Sequence, residues 1–289
     1  MKQFILVFAI LLTACSLAVP RDAPQTDMPP VVTDVPAMTQ SPALDVTSTP
    51  PVDLPPASAL PAGPISMVAL GDSLTQGDGD DSGRGYPGRV LDMVNALRPG
   101  STLTNLGQSG WNSDALINGD QGIESQLTRA VEQLQSVTAQ GRGAVAFVWI
   151  GSNDLWYLYE YGEGSDENDA SDAAHFSSNM DTILGQLRGT GAQVIIALLD
   201  DQSKRPVALK GEAFTGITPD ELSRMSTQVV RYNQIIVEKA AQYGALTVDF
   251  HSTDIFTNPA TLYEDGNHPN QAGYDVIAQK WFEVLSSIL

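Results

Sequence analysis

The 289-residue chain has a single cysteine, Cys15, and three histidines, His175, His251 and His268. One cysteine excludes intramolecular disulfides, cysteine-built metal sites and a cysteine nucleophile in the body of the chain. Basic residues are scarce too: 15 Lys and Arg against 34 Asp and Glu give a formal net charge of -19. Such a surface repels phosphate backbones, which argues against nucleic acid as a partner. The N-terminal apolar run falls short of the roughly 20 residues that an ordinary membrane-spanning helix needs. Residues 20–64 contain no aromatic residue and no lysine, yet hold 12 of the 18 prolines. A segment of that composition cannot bury enough apolar surface to offset its chain entropy.

What is present divides the chain into three. Residues 1–14 read as a signal peptide, with Lys2 as the positive region and Phe4 to Leu12 as the apolar one. The end of that stretch, Leu12-Thr13-Ala14-Cys15, resembles a bacterial lipobox. The resemblance implies cleavage before Cys15, lipidation of its thiol, and a lipoprotein anchored to a membrane outside the cytoplasm. A plain secretory signal with an incidental cysteine is the other reading. Residues 15–64 then form a disordered, proline-rich linker, an extended spacer of up to ~3 Å per residue. Residues 65–289 are the folded part.

There, short apolar runs alternate with amphipathic stretches. Strands are expected at 66–71, 101–107, 144–151, 193–199 and 245–250. Their continuous apolar character suits strands buried on both faces of a parallel sheet. Helices are expected at 86–97, 123–138, 173–188, 219–243 and 271–289. Thr218 before Pro219 and Glu221 is a helix-start signature. The alternation predicts an α/β fold: three α/β/α layers around a five-stranded parallel sheet of flavodoxin-like type. Ligands in such sheets bind beyond the carboxyl ends of the strands.

Four polar clusters lie at those ends: Gly71-Asp72-Ser73-Leu74, the segment around Gly107, Gly151-Ser152-Asn153-Asp154, and Asp265-Gly266-Asn267-His268-Pro269. In that order and placement they resemble the blocks of the SGNH hydrolases, also called the GDSL esterase/lipase family. The resemblance spans residues 65–289. It implies a serine esterase that cleaves carboxylic esters through an acyl-enzyme, without a cofactor or metal. Ser73 would be the nucleophile, His268 its base and Asp265 the carboxylate that orients the base. The Ser73 and Gly107 backbone N–H groups and the Asn153 amide would form the oxyanion hole. Acetylated glycan, short acyl ester and lysophospholipid are all compatible substrates.

Each residue also has a plainer role to weigh: Ser73 as a helix cap, Gly107 as a turn, Asn153 and Asp154 as a turn pair, Asp265 and His268 as surface residues before a helix. Asp154 is taken as structural, because its charge would oppose an oxyanion. His251 is read as packing or surface, and His175 as a solvated residue at a helix start. The acidic runs 78–85 and 160–172 are read as a solvated loop and a surface insertion. Trp156, Tyr157, Tyr159 and Tyr161 could wall a sugar or acyl site, or pack the insertion. Trp111 is a further pocket candidate, and residues 200–218 are long enough to cover a site. Two rival functions remain open: a non-catalytic glycan-binding lipoprotein on the same fold, and a flavodoxin-like nucleotide binder. The second lacks a glycine-rich phosphate loop and basic residues.

Overall fold

The computed structural model describes residues 57–211 and 214–289. The expected signal peptide, Cys15 and most of the linker lie outside the described residues. The last part of the expected linker, residues 57–64, docks on the domain: Leu60 is buried and its N–H donates to the Ile288 carbonyl at 2.7 Å.

Five parallel strands form one sheet: β1 (Ile65–Gly71), β2 (Thr102–Asn105), β3 (Gly143–Trp149), β4 (Gln193–Leu198) and β5 (Leu246–Asp249). Their order is β2-β1-β3-β4-β5. The direction of winding therefore reverses between β1 and β3, and ligands gather at such a reversal. Every residue of β1 and β3 is buried, as expected for strands covered on both faces.

The helices are α1 (Ser73–Gln76), α2 (Gly85–Leu97), α3 (Ser113–Asn118), α4 (Gln126–Thr138), α5 (Ser152–Tyr161), α6 (Asp166–Gly189), α7 (Pro206–Lys210), α8 (Pro219–Tyr243) and α9 (Gln271–Ser286). Helix α2 packs on α9, while α6 packs on both α4 and α8. Under α1 lies an aromatic cluster. Tyr86 stacks on Trp281 at 5.0 Å between ring centroids, and Trp149 stacks on Phe250 at 4.3 Å. The Tyr86 hydroxyl reaches Thr75 Oγ1 at 3.2 Å, which ties this cluster to α1.

Several boundaries differ from expectation for local reasons. Helix α4 starts at Gln126 rather than Ile123, because Ser125 caps it by accepting the Thr128 N–H. Residues 120–123 make a tight turn instead. Helix α6 starts at Asp166, so most of the expected insertion 160–172 is helix. Ser165 caps it, and Asp166, Glu167 and Asp169 complement its dipole. His175 thus sits inside α6, and its Nε2 lies 2.9 Å from Asp114 of α3. Nor is the 78–85 loop merely solvated. Buried Asp80 accepts the Ser82, Arg84 and Gly85 N–H groups and pairs with Arg89 at 2.5 Å. Burial alone would raise its carboxyl, but the Arg89 and Ser82 bonds outweigh that and hold it well below the usual carboxylate range.

Candidate active site

Strand β1 ends at Gly71 and the chain enters α1 immediately. Asp72 caps α1, its Oδ1 accepting the Leu74 N–H at 3.0 Å. Ser73 is the first residue of α1, and its own N–H meets no partner among the described residues. Behind it, buried Gln126 grips the last strand residue: its amide donates to the Gly71 carbonyl and accepts the Gly71 N–H, both at 2.8 Å. A carboxamide does here what a neighbouring strand does elsewhere, so the nucleophile loop leaves a fixed strand end.

His268 and Asp265 arrive from the turn before α9. His268 Nε2 lies 2.9 Å from Ser73 Oγ, and Nδ1 lies 2.7 Å from Asp265 Oδ2. The carboxylate accepts the Nδ1 proton, which leaves Nε2 to accept from the serine hydroxyl. Asp265 Oδ1 also takes the backbone N–H groups of Asn267 and His268. Burial pushes its carboxyl up, but the bonds from His268 and Asn267 outweigh that and bring it down to about 2. Asp265 is therefore ionised at neutral pH. The loop after α1 holds the other side of this turn. At Gly79 (φ +84) a Cβ would sit 2.5 Å from the Pro269 carbonyl and 3.1 Å from His268 Cβ, so no side chain fits there.

The three expected oxyanion donors lie at adjacent strand ends. The ladder beside β1 continues past β2, with Gln108 N–H donating to the Gly71 carbonyl at 3.0 Å; this brings Gly107 alongside the nucleophile loop. A Cβ at Gly107 would lie 2.4 Å from Gln76 N, so close backbone approach by itself demands glycine. Its N–H is already engaged, donating to Asn105 Oδ1 at 3.0 Å. Asn153 Nδ2 donates to the Trp111 carbonyl at 2.9 Å and keeps a second proton. Asp154 is buried and accepts the Ser113 N–H and hydroxyl. Burial raises its carboxyl to about 6 against those bonds. It is structural, joining α5 to α3. His251 is exposed, beside the Leu199 carbonyl and residues 230–238 of α8, and bonds none of the triad residues among the described residues.

The aromatics after Asn153 divide. Trp156 and Tyr159 are buried, with Trp156 stacked on Phe214 at 4.2 Å. Tyr157 is half-buried beside residues 108–123, and Tyr161 is 79% exposed.

Two further residues near the site escaped sequence reasoning. Arg205, in the 200–218 connection, is buried and forked onto Asp200 by two bonds of 2.7 and 2.9 Å. Its remaining nitrogen donates to Asn267 Oδ1 at 2.9 Å, and its guanidinium covers the Phe256 ring. Nearby, the Val207 N–H holds the Gly266 carbonyl at 3.1 Å. This connection buttresses the turn that carries Asp265 and His268.

The second is Asp72. It is 1% exposed and its Oδ2 has no partner among the described residues. Burial raises its carboxyl to about 7, against the pull of the Leu74 N–H and the Arg205 charge. The folded value lies above the unfolded one of about 3.9, so this group's contribution is full below about pH 4. It falls as pH rises to about 7 and stays lost above that. Asp72→Asn removes this slope. The variant should melt several degrees above wild type at about pH 8, with the advantage gone near pH 4. Thermal melts at the two pH values check this; an advantage independent of pH would contradict it.

With this geometry in place, the comparisons with known proteins are specific. The profile described as the GDSL-like lipase/acylhydrolase family matches residues 69–276. A Bacillus subtilis (strain 168) protein described as "Uncharacterized protein YpmR" is 24% identical over 229 residues, 76% of this chain and 81% of its own. Among solved structures, LAE5, an alpha/beta hydrolase enzyme from the metagenome of Lake Arreo, is 20% identical with a TM-score of 0.51, covering 79% of this chain and 98% of its own. The esterase EstA from Pseudoalteromonas sp., in a structure inhibited by monoethylphosphonate, is 16% identical with a TM-score of 0.51, covering 77% and 97%. An acetyl xylan esterase from Geobacillus stearothermophilus is 18% identical with a TM-score of 0.50, covering 81% and 98%. At these identities the structural likeness is one of fold.

Proposed function

We propose, on the premise that this chain belongs to the GDSL-like lipase/acylhydrolase family and is a carboxylic ester hydrolase, that it works through Ser73, His268 and Asp265 by way of an acyl-enzyme. The observation that carries this reading is the continuous chain from Asp265 through His268 to Ser73 Oγ, with links of 2.7 and 2.9 Å. Ser73 Oγ attacks the ester carbonyl while His268 Nε2 takes its proton. Asp265, ionised, keeps the imidazole in the right tautomer and stabilises the imidazolium. That proton then goes to the leaving alcohol. Water, activated by the same base, releases the acid and restores Ser73.

The developing oxyanion is met by the Ser73 N–H, the second Asn153 amide proton and the Gly107 N–H. The last of these now bonds a neutral amide oxygen. A charged oxyanion binds a donor roughly twice as strongly, so it can draw this N–H away from Asn105. Asn153→Ala keeps the fold, since among the described residues Asn153 carries only one side-chain bond, to Trp111. It should lower kcat on p-nitrophenyl acetate by about 10²–10³-fold with little change in KM. Wild-type turnover in that variant would remove Asn153 from the mechanism. Absence of any esterase activity in the folded wild type, on acyl chains from acetate to octanoate, would contradict the reading as a whole.

Acetylated glycan, short acyl ester and lysophospholipid remain the candidate substrate classes. The Geobacillus neighbour, described as an acetyl xylan esterase, favours glycan acetates by fold analogy. The rival of a non-catalytic glycan binder requires ligand binding without hydrolysis of any ester. For location, we propose a membrane-anchored lipoprotein outside the cytoplasm, supported by the lipobox-like Leu12-Thr13-Ala14-Cys15. Fractionation of cells making the full chain should find it with membranes, and Cys15→Ser should move it to the soluble fraction. Soluble recovery of both would contradict the anchor.

A further inference from the structure

The geometry points to the groove bounded by α3, the 119–123 turn and Tyr157 as the binding site for the alcohol part of the substrate, with a neutral, hydroxyl-rich glycan as its occupant. This deepens the esterase reading and rests on it for the reacting atoms.

The groove is about 610 Å³, within the size range of roughly 300–1,000 Å³ for small-molecule sites. One wall is the segment Gln108–Trp111, which directly follows Gly107. That wall is fastened to the site already described. The Ser109 N–H donates to Gln76 Oε1 at 2.6 Å, and its hydroxyl donates to Asp78 at 2.8 Å. Across it, the Trp111 carbonyl accepts from Asn153, and the Gly110 carbonyl accepts from the Tyr157 hydroxyl at 2.7 Å. A ligand in the groove therefore lies against the same wall that is bonded to Gln76 of the nucleophile helix and to Asn153.

Its lining selects the chemistry. The carboxamides of Gln108 and Gln121 bond nothing else among the described residues. The Asn112 amide nitrogen is likewise unpaired, while its oxygen caps α3. Each carboxamide offers both donors and acceptors, which matches a hydroxyl that is itself both. Half-buried Tyr157 and exposed Ile123 add apolar faces for ring C–H groups.

The charged groups lining the groove are Asp114 and Asp120, with no Lys or Arg among the residues that line it. Asp114 faces His175 of α6 at 2.9 Å, and the chain as a whole carries a charge of -19. The Asp114 bond raises the His175 imidazole, so that pair is already matched; a phosphate headgroup or a uronate would still meet the Asp120 carboxylate with no Lys or Arg lining the groove to hold it. A long alkyl chain would strip water from amides it cannot bond. Lysophospholipids and acidic glycans are thereby disfavoured, and neutral saccharides are left.

The test is titration of the full chain with neutral tetrasaccharides (xylotetraose, cellotetraose) and with tetragalacturonate, followed by calorimetry. At least one neutral sugar should bind, with tetragalacturonate at least about tenfold weaker. Asn118→Trp sets an indole at the groove rim and should weaken the neutral sugar by about tenfold or more; Gln108→Ala should weaken it severalfold. No binding of either neutral sugar, equal binding of tetragalacturonate, or unchanged affinity in both folded variants would overturn the proposal. Acetate release from the acetylated tetrasaccharides separates the two readings. Binding without release by the wild type sinks the esterase mechanism and leaves the groove assignment standing. Release with the same kcat/KM in wild type and both variants sinks the groove assignment and leaves the esterase standing.

Discussion

Ser73→Ala lowers kcat for ester hydrolysis by roughly 10⁵-fold or more, with the melting temperature almost unchanged. The size follows from the chemistry: the covalent route has no other nucleophile, and what remains is binding plus the oxyanion donors. The stability expectation follows from the contacts. Among the described residues the Ser73 hydroxyl bonds only His268, while Asp72, not Ser73, caps α1. His268→Ala should cost nearly as much by itself and should add almost nothing to Ser73→Ala, because the two act as one unit. Steady-state kinetics on the single and double variants check this. Additive losses would mean that the two side chains do not share a step, whatever their 2.9 Å separation.

Arg205 gives the second large effect, and it separates stability from activity. Arg205→Ala leaves Asp200 buried without its partner, which should cost about 3–5 kcal/mol of stability. It also removes the bond to Asn267, one residue from His268. A double variant, Asp200→Asn with Arg205→Met, takes away both charges and keeps most of the volume. It should recover most of the lost stability, since replacing a whole buried pair by neutral groups is often close to neutral. Turnover should not recover with it. We expect kcat to stay at least about tenfold below wild type with KM nearly unchanged, because the Asp265–His268 turn is no longer held. Denaturant melts and kinetics on the same samples check this. A double variant with both stability and kcat restored would make Arg205 a purely structural residue.

The sheet was legible because strands buried on both faces are written as unbroken apolar runs; β3 and β4 lie within a residue or two of their expected spans. Helix α8 was legible at both ends. Thr218, Pro219 and Glu221 form a capping box at its start, and Gly244 closes it in the left-handed conformation. Where the caps were silent, the reading faltered. Helix α5 begins inside the Gly151-Ser152-Asn153 cluster with no side-chain cap, and nothing local separates it from a turn. The first turns of α6 are acidic and short of apolar residues, so they carry no 3.6-residue pattern.

In the site, residue types and order placed Ser73, Asp265, His268 and Asn153 at the strand ends, and the structure brings the first three into one hydrogen-bonded chain. Their supports were not legible. Arg205 meets Asn267 across 62 positions, and Gln126 meets Gly71 across 55. Such pairings leave no periodic trace in a single sequence. Asp80 read as one more surface acid because its partner Arg89 lies in the next helix. The engaged N–H of Gly107 depends on the Asn105 rotamer, which no motif encodes.

The central claim is that Ser73 is an activated nucleophile. The most direct measurement is to treat the folded full chain with a fluorophosphonate and to locate the adduct by peptide mass. The mechanism predicts a single phosphonylated residue, Ser73, with labelling slowed by Asp265→Asn and abolished by His268→Ala. A folded, binding-competent protein with no adduct on Ser73, or with equal labelling in the His268→Ala variant, would contradict it.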